Sequence, residues 1–323
     1  MPTPEPCDSF DPALLRLGRD LRRQGIEPAR HRTDGEPTYH PVCRGVWIRS
    51  ADWRELSPTR RHAALVHGIA LRGEADGLVF TREAAAALWD LPRIDTWPSL
   101  VHGTCTGPRV RSSGQVVRHI DEFDLAYRHQ GLLVTSPART IVDLARTGPV
   151  TNAVVAADRA VRLGLCDESE LWSEARDVPP RSRGRHRALL VADLVDGRSM
   201  SPGESLSRVQ MFLLNLPRPD LQVRCEDERG LIGYADFGWD GVVGEFDGRV
   251  KYRVPEGASA KEASAVLWAE KRREDRIRAT GVRMARWLYV DAMHPERMAR
   301  RLAEQGIVPG PRNTWFDLGA SAG

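Results

Sequence analysis

The chain has 323 residues, 41% hydrophobic and 28% charged, with a formal net charge of +3, which suffices for two domains with their own cores. No apolar run approaches the ~20 residues of a membrane span, and "MPTPEPCDSF" lacks the basic start and apolar stretch of a signal peptide. Five scattered cysteines without a CxxC pair, and nine histidines without HExxH spacing, argue against a disulfide framework or zinc site and for a reduced, cytoplasmic setting; the weak positive charge permits nucleic-acid binding without requiring it.

In chain order, "DPALLRLGRDLRRQG" has helical apolar spacing and stops at Gly25. "HPVCRGVWIRSADW" reads as a short strand or wing. "SPTRRHAALVHGIALRG" and "TREAAAALWDLP" predict two helices that open at a Ser or Thr cap. Apolar and basic residues alternate about Ser-Gly in "RVRSSGQVVRH", which predicts a hairpin. "LLVTSPARTIVDLARTG" is a strand entering a helix, with Ser136 as N-cap, Pro137 at the first helical position and Gly148 near the end. "TNAVVAADRAVRLG" continues the helical packing. The aperiodic "DVPPRSRGRHR" is a linker or a loop before the helix "RALLVADLV". Its arginines, Arg181, Arg183, Arg185 and Arg187, are either a solvated connection or phosphate contacts.

From about Arg198 the character changes. The helix "SPGESLSRVQMFLLNLP" precedes strands near "LQVRCEDERG", "LIGYADFGWD" and "GVVGEFDG". A long polar helix, "SAKEASAVLWAEKRREDRIRATG", leads to the strand "VRMARWLYV" and a last helix from His294; "PGPRNTWFDLGASAG" reads as a frayed tail. Asp240-Gly241 is a tight-turn signal. If it forms the turn, Trp239 faces Val242 and Asp236 faces Glu245, with Asp247 on the same face. Ala235, Phe237 and Phe246 then suit a core. Opposed carboxylates repel unless water or a cation screens them, and hard cations such as Mg²⁺ take oxygen ligands of this kind. The competing reading is a solvated sheet face that tolerates the repulsion. Glu204 is a fourth candidate, although Ser201 and Glu204 also fit a capping box.

Helix Glu204, strand Asp236, Glu245-x-Asp247-Gly, the helix "EKRRED" and the strand "VRMARW" together resemble the restriction-endonuclease fold over about 198–305. The branch they are most similar to contains the very-short-patch-repair endonucleases and related actinobacterial proteins. That resemblance implies a metal-dependent endodeoxyribonuclease: Asp236, Glu245 and Asp247 as Mg²⁺ (or Mn²⁺) ligands, Glu204 orienting metal or water, and phosphodiester hydrolysis at the cluster. One position departs from the pattern, since Asp247 stands where the general motif has lysine. Lys251, Lys271 and Arg273 are candidates for the missing positive charge. Arg272, Arg273 and Arg276 either contact phosphates or pair with Glu270, Glu274 and Asp275 along their helix.

"CRGVWIR", "TREAAAALWDLP" and "TSPARTIVDLAR" resemble the AbiEi-type antitoxin family over about 10–175. This implies a winged helix-turn-helix that binds DNA, with a toxin protein as a further partner. The expectation is therefore a mixed α/β (α+β) chain: a candidate winged-helix region at 1–60, a helical and strand domain at 61–176, a linker and connecting helix at 177–197, a restriction-endonuclease-like domain at 198–307 and a tail at 308–323. Two functions follow: a Mg-dependent nuclease-like DNA-binding protein, or an antitoxin and transcriptional regulator whose nuclease-like domain is inactive.

Overall fold

A computed structural model of the chain describes residues 9–105, 114–120, 126–248 and 260–317. Mixed α/β structure runs through both of its compact units, Met1–Val195 and Asp196–Gly323.

In the first unit, "DPALLRLGRDLRRQG" does not run as one helix. Asp11 caps the 3-10 turn Pro12–Leu14, the chain extends at Arg16–Leu17, and only Gly18–Arg23 is α-helical. The extended residues pair with Trp47 and Val46, so ladder bonds to a neighbouring hairpin override the helical spacing. That hairpin is Tyr39–Cys43 and Val46–Arg49, and with Arg16–Leu17 it makes a three-stranded antiparallel sheet. The helix Pro58–Leu71 follows, capped by Ser57, whose hydroxyl accepts the Arg60 N–H. Arg82–Leu88 is also helical, but the Thr81 hydroxyl makes no cap bond.

A five-stranded sheet has the order Val116–Ile120, Val101–Cys105, Val79–Phe80, Leu132–Val134, Tyr127–His129. Val116–Ile120 lies parallel to Val101–Cys105; the first arm of the hairpin expected in "RVRSSGQVVRH" lies largely outside the described residues. Ile48, Val66, Ile69, Phe80, Leu88 and Val134 fill the core between these elements. The helix Pro137–Thr147 is capped by Ser136 and ends at Gly148, and Val150–Arg162, Glu168–Asp177 and Arg185–Leu194 complete the unit.

In the second unit, strands Asp220–Asp227, Gly230–Trp239, Val242–Asp247 and Arg283–Leu288 form one sheet in chain order. The first three are an antiparallel meander, and the last joins parallel to Val242–Asp247. The crossover that a parallel neighbour needs contains the helix Ala260–Ala279. The helix Pro202–Leu213 meets the sheet through Trp287, whose indole N–H donates to Ser207 Oγ at 2.9 Å and whose ring lies 5.3 Å from that of Phe237. Gly203 sits directly on Phe246: a Cβ there would stand 2.0 Å from the ring. Ile277 of the long helix packs with Ala235, Val243 and Met284 in a separate apolar cluster.

The segment after Pro309 is not frayed as far as Asp317. Trp315 is 5% exposed, donates its indole N–H to the Leu216 carbonyl at 2.7 Å, and meets Phe212 edge-on at 5.5 Å. Burying one large ring outweighs the Gly-Pro character that made this stretch read as a tail.

Gly203→Ala tests the seating of the Glu204 helix. Alanine favours a helix by up to about 1 kcal/mol over glycine, whereas overpacking against Phe246 costs about 1–3 kcal/mol. Urea denaturation should show a net loss of stability; a gain would mean that the helix does not rest on Phe246.

Candidate carboxylate site

The hairpin closes with two residues in its turn. Trp239 is opposite Val242 and Phe237 is opposite Gly244. The regular ladder stops there, and the Phe246 N–H donates instead to Asp236 Oδ2 at 2.8 Å. Asp236 thus reaches across to the strand that carries Glu245. From the other direction, Ser201 caps the helix by accepting the Glu204 N–H at 3.2 Å. The Glu204 carboxylate does not close the capping box on Ser201. It accepts from the Met200 N–H at 2.8 Å and from Gln222 Nε2 at 3.1 Å. Glu204, Asp236, Glu245, Glu270 and Arg273 line one recess of about 400 Å³. Asp247, half-buried opposite Leu288, is not on its wall among the described residues. Lys251 lies outside the described residues.

Glu245 is 6% exposed, and both of its oxygens face guanidinium groups. Arg286 Nη2 donates to Oε2 at 2.7 Å, and Arg273 Nη1 stands 2.8 Å from Oε1 in an ionic contact that lacks hydrogen-bond alignment. The same arginines reach Glu270 at 3.2 and 3.3 Å, and Arg286 also meets Glu274 at 3.3 Å. Asp236 has a different environment. Burial first, and then the negative charge of Glu204, push its carboxyl from 3.8 up to about 7; Glu245 adds to the rise, while the Phe246 N–H and Arg273 oppose it. Near neutral pH this group therefore exchanges a proton readily.

Among the described residues, no three His, Cys, Asp or Glu side chains form a group that could hold a metal ion by themselves. Asp236 and Glu204 are hard oxygen donors, and Mg²⁺ commonly takes only one or two carboxylates, completing its shell with water and substrate phosphate. That pair fits such an ion. Glu245 is engaged by arginines.

The other sequence-derived candidates scatter. Arg276 grips Asp227 through two bonds of 2.8 and 2.7 Å, Arg272 is exposed, and Lys271 lies over the Trp268 ring. Arg185 is spent on the carbonyls of Val178 and Arg176, while Arg181 and Arg183 are exposed. Sequence reasoning missed Arg286 and Gln222. An arginine set between Ala285 and Trp287 in the strand "VRMARW" was the available signal for Arg286.

No family model matches the chain. Two proteins of Mycobacterium tuberculosis are each 30% identical to it over 158 residues, covering 48% of this chain and 56% of theirs. They carry the names Uncharacterized protein MT2308 (strain CDC 1551 / Oshkosh) and Uncharacterized protein Rv2248 (strain ATCC 25618 / H37Rv). The chain spans about half the length of these relatives.

A carboxyl whose folded value is raised binds more protons in the folded than in the unfolded state between 3.8 and about 7. Its contribution to stability is present below that window and is lost as pH rises through it. Asp236→Asn removes this titration. In urea denaturation across the window, the wild type should lose stability relative to Asp236→Asn as pH rises. Parallel pH profiles would show that Asp236 is not raised.

Proposed function

We propose that the second unit is a Mg²⁺- or Mn²⁺-dependent nuclease-like domain acting on DNA, joined to an AbiEi-like first unit that binds DNA, and that the protein works in the cytoplasm. The observation that carries this reading is the convergence of Glu204 and Glu245 on Asp236 in one recess with Arg273 on its wall. Converging acids create a demand for positive charge, and a divalent cation of the kind that assists phosphodiester hydrolysis would meet it.

Asp236 and Glu204 would hold the metal, which when bound lowers the pKa of a coordinated water and offsets charge on the phosphate. The Phe246 N–H fixes the orientation of the Asp236 carboxylate, and a bound cation would offset the Glu204 charge that raises it. Arg273 supplies the positive charge that the missing motif lysine would have carried, and Glu245 and Glu270 hold its guanidinium in place. Glu245 thereby acts through the arginines.

A second reading is favoured by the pairing of both Glu245 oxygens with arginines. In it the domain is a non-catalytic descendant of a nuclease, and the protein is a DNA-binding regulator or antitoxin whose partner is a toxin protein.

Incubation with plasmid, linear and single-stranded DNA and added Mg²⁺ or Mn²⁺ separates the two. The nuclease reading expects cleavage that falls about 10²-fold or more in Asp236→Asn and in Arg273→Gln. Asp227→Asn, which touches only the Arg276 pair among these residues, should cleave as the wild type does. Wild-type protein that cleaves none of the substrates with either metal would favour the regulator.

A further inference from the structure

A second recess, of about 490 Å³ and wholly within the first unit, has the opposite charge character. Arg82, Arg146 and Arg183 converge on it, and Thr81, Thr104 and His119 contribute further polar groups. Thr81 and Thr104 are each 3% exposed. The Thr81 hydroxyl has no hydrogen-bond partner among the described residues, although an unsatisfied buried hydroxyl costs about 1–3 kcal/mol. It stands where an N-cap would bond the helix Arg82–Leu88, yet it makes no such bond. A buried hydroxyl without a partner, on a residue that lines a cationic recess, is an observation separate from the arginines themselves.

The recess is built by close packing. Gly184 has φ 78°, and a Cβ there would stand 2.5 Å from the Arg146 carbonyl, so this glycine lets the loop carrying Arg183 press onto the end of the helix Pro137–Thr147. Arg146 Nε donates to the Arg183 carbonyl at 3.4 Å, which ties the Arg146 side chain to the backbone at Arg183. Among the described residues, one acid lines the recess. Asp143 is held by Arg139 at 3.2 Å and by Arg146 at 3.8 Å. Its charge is therefore already offset, and Arg82 and Arg183 have no carboxylate within ion-pair distance among the described residues.

We propose that this recess binds the terminal phosphate of a small phosphorylated ligand, such as pyrophosphate or a nucleoside 5′-monophosphate. Guanidinium forks match phosphate oxygens two at a time. Arg82 and Arg183 bring two forks not committed to a carboxylate among the described residues, and Arg146, partly engaged by Asp143, adds a third positive charge. The volume falls in the usual range for small-molecule pockets, about 300–1,000 Å³. The assignment is independent of the carboxylate recess and of any nuclease activity.

Calorimetric titration of the full chain tests it, with pyrophosphate, adenosine 5′-monophosphate, succinate and an oligonucleotide bearing a 5′-hydroxyl as probes. Pyrophosphate and the mononucleotide should bind at one site. Arg82→Gln and Arg183→Gln should each weaken that binding about tenfold or more, the effect of losing a charge-assisted bond. Thr81→Val should weaken it by a smaller factor, and wild-type melting temperatures in the variants would show that the fold is retained. No saturable binding of either phosphate probe, or equal binding by wild type and both arginine variants, would overturn the proposal. So would tighter binding of succinate, or an oligonucleotide that competes at the same site without a terminal phosphate.

Discussion

A single buried carboxylate, Glu245, sets the layout of the second unit. An ionised acid removed from water costs several kcal/mol unless opposite charge accompanies it, and here two arginines from different elements do so. Arg286 comes from the strand beside it, and Arg273 from the long helix. Because the same guanidiniums also meet Glu270 and Glu274, the helix Ala260–Ala279 is tied to the sheet at a fixed height. Removing either arginine would leave Glu245 under-compensated and loosen that tie.

This constraint shapes the neighbouring acid. With Glu245 neutralised by its arginines, the strongest charge acting on Asp236 is Glu204. Glu204 in turn is placed by packing. Its helix lies close enough to the sheet for Gly203 to rest on the Phe246 ring, and Trp287 pins it further along through Ser207. The raised carboxyl of Asp236 thus depends on a glycine, an indole hydrogen bond and an ion-pair web, none of which is itself the acid in question.

The two units treat charge in contrasting ways. The second gathers acids around a recess and meets them with a few arginines held in place; the first gathers arginines around a recess and offsets the one acid found there among the described residues. Each arrangement includes polar groups at low exposure, Glu245 in one and Thr81 and Thr104 in the other, where interactions are stronger because water screens them less. Binding of phosphate chemistry at either recess would draw on that same advantage.

Local signals were enough to place many elements. Asp240-Gly241 specified the turn and so the pairing of Trp239 with Val242, because a tight turn leaves one register open. Ser57, Ser136 and Ser201 marked true helix starts, because an N-cap hydroxyl acts on N–H groups only three residues away. The order Glu204, Asp236, Glu245 likewise identified the acids that line the recess. What the sequence could not supply was long-range. Leu15–Leu17 carries helical spacing, but its fate was decided by a hairpin some thirty residues later. Trp315 looked like part of a loose end until Phe212 and Leu216 gave it a place to pack. Above all, the sequence carries arginines in both units without saying which would be committed to Glu245. That choice depends on which elements lie side by side, and only tertiary packing brings them together.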